Sequence, residues 1–460
     1  MNSKKPNIVF FFTDDQRYQT FGCFNREIKT PVMDSLVRNG TCFTHACIAG
    51  GTSGAVCMPS RAMLHSGHSL FHIDRRGDSI PSDHSLMGET LKQNGYETYG
   101  IGKWHNGTDS YSRSFTNGDK IFFGGMDDHW NVPVHSFDKE GLYDKRSYKT
   151  NDFMKSNIKR EYISDHTVAS KHSTDLFADA AMTFIEKHDF EKPMFMYLSF
   201  MAPHDPRTMP EKYLDMYDIN DIKIPENFAH EHSFDFGIRD IRDELLEAYP
   251  RTENAIRKHI LEYYAMISHL DDRIGDVIEK MKSVNQYDNT IFILAGDNGL
   301  ALGQHGLMGK QNLYEHSIRV PLVIQGPAVP ADFQSEANVY LYDIFPTLCE
   351  LSNSHTPSDL DGISLLTFIK GSTGGRDVMY FAYIDSIRAV KKGGYKLIEY
   401  RGKNLHKTQL FNLTDDPYET HDLSENESEL VSSLRKELLL QAEYHDDLKS
   451  DYGKTFFSYW

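Results

Sequence analysis

The chain has 460 residues, 39% of them hydrophobic, which is long enough for one large core and a second, smaller one. Its mean hydropathy is -0.52, and no apolar run nears the roughly 20 residues of a bilayer span, so no membrane association is expected. A formal charge of -17, from 66 acidic and 49 basic residues, argues against a nucleic-acid partner, which wants a basic face, and means that an anionic substrate must meet a local cluster of cations.

The first residues, Met-Asn-Ser-Lys-Lys-Pro, run without an apolar segment into a strand over Asn7–Thr13 that ends at Asp14-Asp15. No secretory signal is visible; the chain reads as cytoplasmic as it stands, and as periplasmic if a leader has been removed. Residues 30–39 and 83–94 carry apolar positions at helical spacing. A second buried strand, 96–101, precedes Lys103 and His105. The stretch 108–172 is polar, aromatic and irregular, too long for a routine connection, and is expected as a surface insertion or substrate-facing loop. A helix over Ser173–Lys187 follows, then a strand over 194–200 that precedes His204. A long helix over 255–282 leads to a strand over 291–294 that precedes Asp297-Asn298, and residues 342–351 form another helix.

Short apolar runs bounded by Gly, Pro and Asp, alternating with amphipathic helices, predict an α/β fold: a large α/β/α sandwich around a mostly parallel mixed sheet. Polar residues then gather at the carboxyl ends of the strands, where such folds bind ligands. From about Asp377 the pattern changes to strands over 378–384, 387–390 and 395–400 and a helix over 424–444. This divides the chain into a large N-terminal domain, residues 1–375, and a smaller C-terminal α+β subdomain with an antiparallel sheet, residues 376–460. Of the five cysteines, Cys23, Cys42, Cys47 and Cys349 are expected as small buried residues.

Asp14, Asp15, Asp297 and Asn298 place four oxygen side chains after two apolar strands. Either pair alone is equally a turn or a helix cap; both together suit a hard cation, Ca²⁺ before Mg²⁺. The absence of His or Cys beside them disfavours a zinc hydrolase. Lys103-Trp104-His105, Ala202-Pro203-His204 and Gly309-Lys310 add cations and imidazoles at further strand ends and loops. Transfer of an oxyanionic group needs such a set: a cation, a basic cradle, an acid, a base and a nucleophile.

The fifth cysteine stands in Cys57-Met58-Pro59-Ser60-Arg61, which matches the C-x-P-S-R signature of the type I, formylglycine-dependent sulfatases of the alkaline phosphatase superfamily. The chain resembles that family further in Pro6-Asn7-Ile8-Val9 through Asp15, Gly102 to His105, Ala202 to His204, Gly296 to Gly299 and Gly309-Lys310, in the family's order. Segments 386–400 and 410–417 are also similar. The resemblance implies that Cys57 is converted to formylglycine by a formylglycine-generating or an anaerobic sulfatase-maturating enzyme. It implies Ca²⁺ on Asp14, Asp15, Asp297 and Asn298, joined by an oxygen of modified Cys57. Arg61 and Lys103 would hold the aldehyde hydrate, and Lys103 and Lys310 the sulfate oxygens. His204 would protonate the departing alcohol. His105 would deprotonate the second hydroxyl of the hydrate, breaking down a sulfo-enzyme intermediate. Ser60 is expected to serve the modifying enzyme and the local turn.

By the same resemblance the texture is that of bacterial carbohydrate sulfatases, and the expected substrate is a sulfated saccharide. Arg207, Trp130 and His135 are candidates for contacting it, with His129 beside them in the insertion. Two other readings stay open: a phosphonate monoester or phosphodiester hydrolase of the same superfamily, in which a His typically stands at the position of Asn298, and a non-catalytic sulfated-glycan binding protein if Cys57 is unmodified.

Overall fold

The computed structural model describes residues 5–73, 76–150, 159–372 and 374–460. Its main sheet has eight strands. In chain order they are β1 (Asn7–Thr13), β2 (Thr41–Phe43), β3 (Glu97–Lys103), β4 (Asn117–Phe122), β5 (Met194–Ser199), β6 (Thr290–Gly296), β7 (Leu322–Gln325) and β8 (Phe333–Ser335). Their order across the sheet is β8-β2-β7-β6-β1-β5-β3-β4. Strands β6, β1, β5, β3 and β4 are all parallel, and β7 is antiparallel to both neighbours. Phe10 of β1 lies opposite Tyr197 and Ile293, which fixes the central register.

Alternation along β1 explains the layers, because successive side chains of a strand point to opposite faces. The principal helices of this part are α1 (Pro31–Arg38), α2 (Cys57–Ser66), α3 (Ser173–Lys187), α4 (Glu253–Ser283) and α5 (Ile344–Leu351). Val9 and Phe11 pack into one core with apolar residues of α1, α3 and α4. Ile8, Phe10 and Phe12 pack into the other with residues of α2 and α5. Every residue of β1, β5 and β6 is buried, so trimming one of these phenylalanines to Ala would cost about 3–5 kcal/mol. The chain is thus an α/β/α sandwich around a mostly parallel sheet.

A second sheet follows: β9 (Val378–Tyr383), β10 (Ile387–Lys392), β11 (Tyr395–Gly402) and β12 (Leu405–Asn412) form an antiparallel meander. The helix α6 (Ser428–Tyr444) covers it, setting Val431, Leu434 and Leu438 on Val390, Leu397 and Leu410. The sheet also receives Gly50–Gly51, paired parallel to β9. Only glycine fits there: Gly50 has φ +99°, and a Cβ on it would lie 1.9 Å from the Ala382 carbonyl oxygen.

Three expectations are corrected. The 108–172 stretch is not irregular: it holds a helix, Thr108–Ser114, the strand β4 and two-stranded ribbons. Asn131–Val134 pairs with His166–Ala169, and Arg146–Thr150 with Lys159–Ile163. The helix α6 begins at Ser428, four residues later than predicted, because 424–426 forms a turn and Glu427 is the N-cap. Cys23 is exposed, whereas Cys42, Cys47, Cys57 and Cys349 are buried; all five are free thiols. Among the described residues no helix is long and apolar enough to cross a membrane.

Candidate active site

The site is built where parallel strands stop. β1 delivers Asp14 and Asp15, β3 delivers Lys103 and then His105, the segment after β5 delivers His204, and β6 delivers Asp297 and Asn298. Helix α2 begins at Cys57 and brings Arg61 one turn later. Lys310 reaches in from the loop after β6. Asp15 and His105 hold left-handed backbone, φ 65° and 72°, an unfavourable geometry for side-chain-bearing residues that recurs at functional sites. Gly102 lets β3 approach β5: a Cβ on it would sit 1.9 Å from the Ser199 carbonyl oxygen.

All ten residues singled out for catalysis or metal binding converge. The Cys57 Sγ lies 3.5 Å from Lys103 Nζ and 3.5 Å from His105 Nδ1. Donor atoms of Cys57, Asp14 and Asp297 lie within 4.8 Å of one another, as do those of Asp14, Asp15 and His204. Arg61 donates Nε to Asp297 Oδ2 at 2.9 Å and Nη1 to Ser199 Oγ at 2.7 Å, with Nη2 3.7 Å from Asp14 Oδ2. Lys103 ion-pairs with Asp14. Lys310 Nζ is 2.5 Å from Asp15 Oδ1. Asn298 donates Nδ2 to Asp15 Oδ1 at 2.7 Å. His204 donates from Nδ1 to the Asp205 carbonyl oxygen at 2.8 Å, which turns Nε2 toward Asp15 Oδ2, 3.6 Å away. Ser60 Oγ donates to the Asp297 carbonyl oxygen, holding α2 against the β6 end.

Electrostatics follow from burial. Asp14, Asp15 and Asp297 face Arg61, Lys103 and Lys310, and all six are buried. Burial, then the charge of Asp14, pushes Asp297 up to about 6. Burial raises Asp14 as well, but Lys103, His204 and Arg61 outweigh it and hold that carboxyl below the usual range. Burial, with Lys103 and Arg61 beside it, keeps His105 neutral. Burial also raises the Cys57 thiol against the pull of Lys103 and Lys310, so an unmodified Cys57 is protonated and a poor nucleophile.

The donor set fits a hard cation. Asp14 Oδ1 and Asn298 Oδ1 are buried with no hydrogen-bond partner, a costly state unless something else satisfies them. Both belong to a cluster of carboxyl and amide oxygens, the ligands that Ca²⁺ and Mg²⁺ prefer.

A family model described as Sulfatase matches residues 6–354. The chain belongs to the sulfatase family. A model of the C-terminal part of N-sulphoglucosamine sulphohydrolase matches residues 303–444 of this sulfatase. It is similar to the N-acetylglucosamine-6-O-sulfatase of Bacteroides thetaiotaomicron, at 24% identity over 97% of this chain and 88% of that one. A solved structure in complex with its substrate, D-glucosamine-2-N,6-O-disulfate, superposes with a TM-score of 0.73 at 22% identity, covering 98% of this chain and 99% of that one. The phosphonate monoester hydrolase of Agrobacterium radiobacter superposes with a TM-score of 0.74 at 20% identity, over 96% of each chain. The protein is a sulfuric ester hydrolase.

The cleft above Cys57 is also lined by Gly125, Met126, Arg160, Ile241, Arg242, Asp243 and Gln311, none of which the sequence singled out. Arg242 grips Asp205 with both terminal nitrogens, Nη1–Oδ1 at 2.7 Å. Gln311 donates to Asp243 Oδ2 and to the Gly54 carbonyl oxygen, each at 2.7 Å. Isolated residues outside any motif give no local signal; only the fold brings them to one rim. The three residues expected to touch substrate do not line this cleft. Arg207 turns toward α4, where Nη1 meets His259 Nδ1 at 2.7 Å. Trp130 is half-buried, edge-on to His172. His135 is buried against Tyr143 and bonds the Ser136 carbonyl oxygen at 2.8 Å. His129 backs the site indirectly, with Nε2 2.9 Å from the His204 carbonyl oxygen.

Proposed function

We propose that this sulfatase releases sulfate from a sulfated saccharide, using formylglycine made from Cys57 and a Ca²⁺ ion held by Asp14, Asp15, Asp297 and Asn298. The observation that carries the reading is a buried cysteine at the head of α2, inside a ring of carboxylates and cations at the strand ends. Formylglycine supplies a hydrated aldehyde as nucleophile and a route to expel sulfate without water attacking sulfur. The cation supplies charge stabilisation for the sulfate oxygens.

The chain's own residues do the rest. Arg61 and Lys103 fix residue 57 and offset negative charge beside it. Lys103 and Lys310 are positioned to hold sulfate oxygens. His105, kept neutral by burial, takes a proton from the side chain of residue 57. His204 presents Nε2 to the cleft and donates a proton to the departing sugar oxygen. The rim offers Arg160 to further anionic groups and Met126 and Ile241 to a sugar face.

The relative named as an N-acetylglucosamine-6-O-sulfatase makes sulfated amino sugars the first class to test. Conversion of Cys57 needs a formylglycine-generating or anaerobic sulfatase-maturating enzyme in the host. Two measurements test the reading together. The peptide carrying Cys57 should weigh about 18 Da less than its thiol form, and defined sulfated saccharides should release sulfate. An unmodified thiol in protein from the native host would instead favour a glycan-binding role. The superposition on a phosphonate monoester hydrolase makes a phosphodiester the necessary control. Diester turnover with no release from any sulfate ester would overturn the choice of group.

A further inference from the structure

A second cluster lies away from the active site. His68 and His72 sit on the segment leaving α2, and Asp361 on the loop that follows α5; their donor atoms lie within 4.8 Å of one another. Asp361 Oδ2 is 3.4 Å from His68 Nδ1 and 2.6 Å from His72 Nδ1, and accepts from the Ser69 backbone N–H at 2.8 Å. The far nitrogens face two more carboxylates. His72 Nε2 is 3.2 Å from Asp446 Oδ2, and His68 Nε2 is 3.6 Å from Asp359 Oδ2. His68 Nε2 is buried and has no hydrogen bond.

Each ring therefore turns Nδ1 toward one shared carboxylate and Nε2 toward a carboxylate of its own. For His72 that is how a metal-bound imidazole is held, with the outer N–H anchored by an acid that orients the ring and raises its basicity; His68 Nε2 faces its carboxylate at 3.6 Å. The 3.4 Å between His68 Nδ1 and Asp361 Oδ2 is close to the edge, about 3.3 Å, of a tetrahedron with zinc-ligand bonds of about 2.0–2.1 Å. His72 needs to open by less than an ångström from Asp361. Three carboxylates facing two imidazoles leave negative charge for a cation to balance. Two nitrogens and one carboxylate select zinc over calcium or magnesium. His72 and Asp361 have side chains 31% and 29% exposed, which gives an ion a way in and a water the remaining position. The His84 ring is tilted against that of His68, centroids 4.2 Å apart, with its Nδ1 buried and unbonded.

We propose that His68, His72 and Asp361 bind a zinc ion that ties the exit of α2 to the loop before residue 362 and, through Asp446, to the C-terminal segment. The site needs neither formylglycine nor the active-site cation. The test uses the full chain and the double variant His68→Gln/His72→Gln, each equilibrated with Zn²⁺ and freed of excess, with zinc measured per chain. The native protein should hold one zinc more than the variant, gain thermal stability on adding Zn²⁺, and show a visible cobalt spectrum of nitrogen ligation that the variant lacks. Sulfate ester hydrolysis should be retained by the variant. Asp446→Asn, which keeps all three ligands, should weaken zinc binding by roughly 10–100-fold. Equal zinc content in native and double variant overturns the site. So does zinc affinity unchanged by Asp446→Asn, or a native stability that responds to acid but not to Zn²⁺, which would mean that His72 is a protonated clamp between Asp361 and Asp446.

Discussion

Arg242 closes a two-point ion pair on Asp205, and the carbonyl oxygen of the same Asp205 accepts from His204 Nδ1 at 2.8 Å. One arginine on the rim thus steadies the loop that aims His204. Its charge also offsets the Asp205 carboxylate, which lies 3.3 Å from the same ring nitrogen. Arg242→Ala should lower kcat by about 10²-fold through misplacement of that ring. Release of p-nitrophenyl sulfate, whose leaving group needs no proton, should fall far less than that of a saccharide sulfate. A purely structural role would lower turnover of both substrates alike.

Cys57→Ala and Cys57→Ser should abolish or nearly abolish sulfate release, by at least about 10³-fold, because both remove the proposed precursor of the nucleophile. The fold should survive, since the Sγ makes only long polar contacts. Circular dichroism and the melting temperature check the second half of the statement.

His204→Ala should discriminate between leaving groups. An alkyl or sugar alcohol needs a proton as it departs, and a nitrophenolate does not. Turnover of a saccharide sulfate should fall by roughly 10²–10⁴-fold, and that of p-nitrophenyl sulfate far less. Equal losses on both would remove His204 from the role of acid.

A pH effect on stability should come from the junction between the sheets. Glu315 and Glu419 share the buried Lys396, and Glu315 also pairs with Lys391. Burial pushes the Glu419 carboxyl up to about 7 from an ordinary 4.5; Lys396 opposes this and the charge of Glu315 adds to it. Burial raises Glu315 too, but Lys391 and Lys396 outweigh it and keep it ionised. The pair therefore keeps one proton that the unfolded chain releases near 4.5. That stabilisation is full below pH 4.5 and is lost as pH rises through about 7, by up to about 3 kcal/mol. Glu419→Gln should flatten the melting temperature across this window.

The strand ends were legible because buried parallel strands are continuous apolar runs, and the chemistry sits just past them. β1 was read to the residue; Met194–Ser199 and Thr290–Gly296 were read to within one or two. β12 was missed because Leu405–Asn412 is mostly polar and half-exposed, with burial confined to Gln409, Leu410 and Phe411. The ribbon of Arg146–Thr150 and Lys159–Ile163 was missed for the same reason: its residues are nearly all exposed or half-exposed and leave no apolar periodicity. The ten central residues stood in short motifs whose order could be followed. Arg160, Arg242 and Gln311 stand in none, and only tertiary packing brings them to the cleft. His135 misled because an isolated bridge to Ile121 draws it into the interior, which its polar surroundings in sequence conceal.

The pairing of Gly50–Gly51 with β9 sets an order of events during synthesis. The segment that leads into Cys57 gains this neighbour only after residues 382 and 383 have been made, so the ribosome completes most of the chain before that edge can form. Cys57 ends with 2% of its surface open, too little for another enzyme to grasp. The conversion proposed for this thiol would therefore act on the still open polypeptide, before Gly50–Gly51 gains its neighbour.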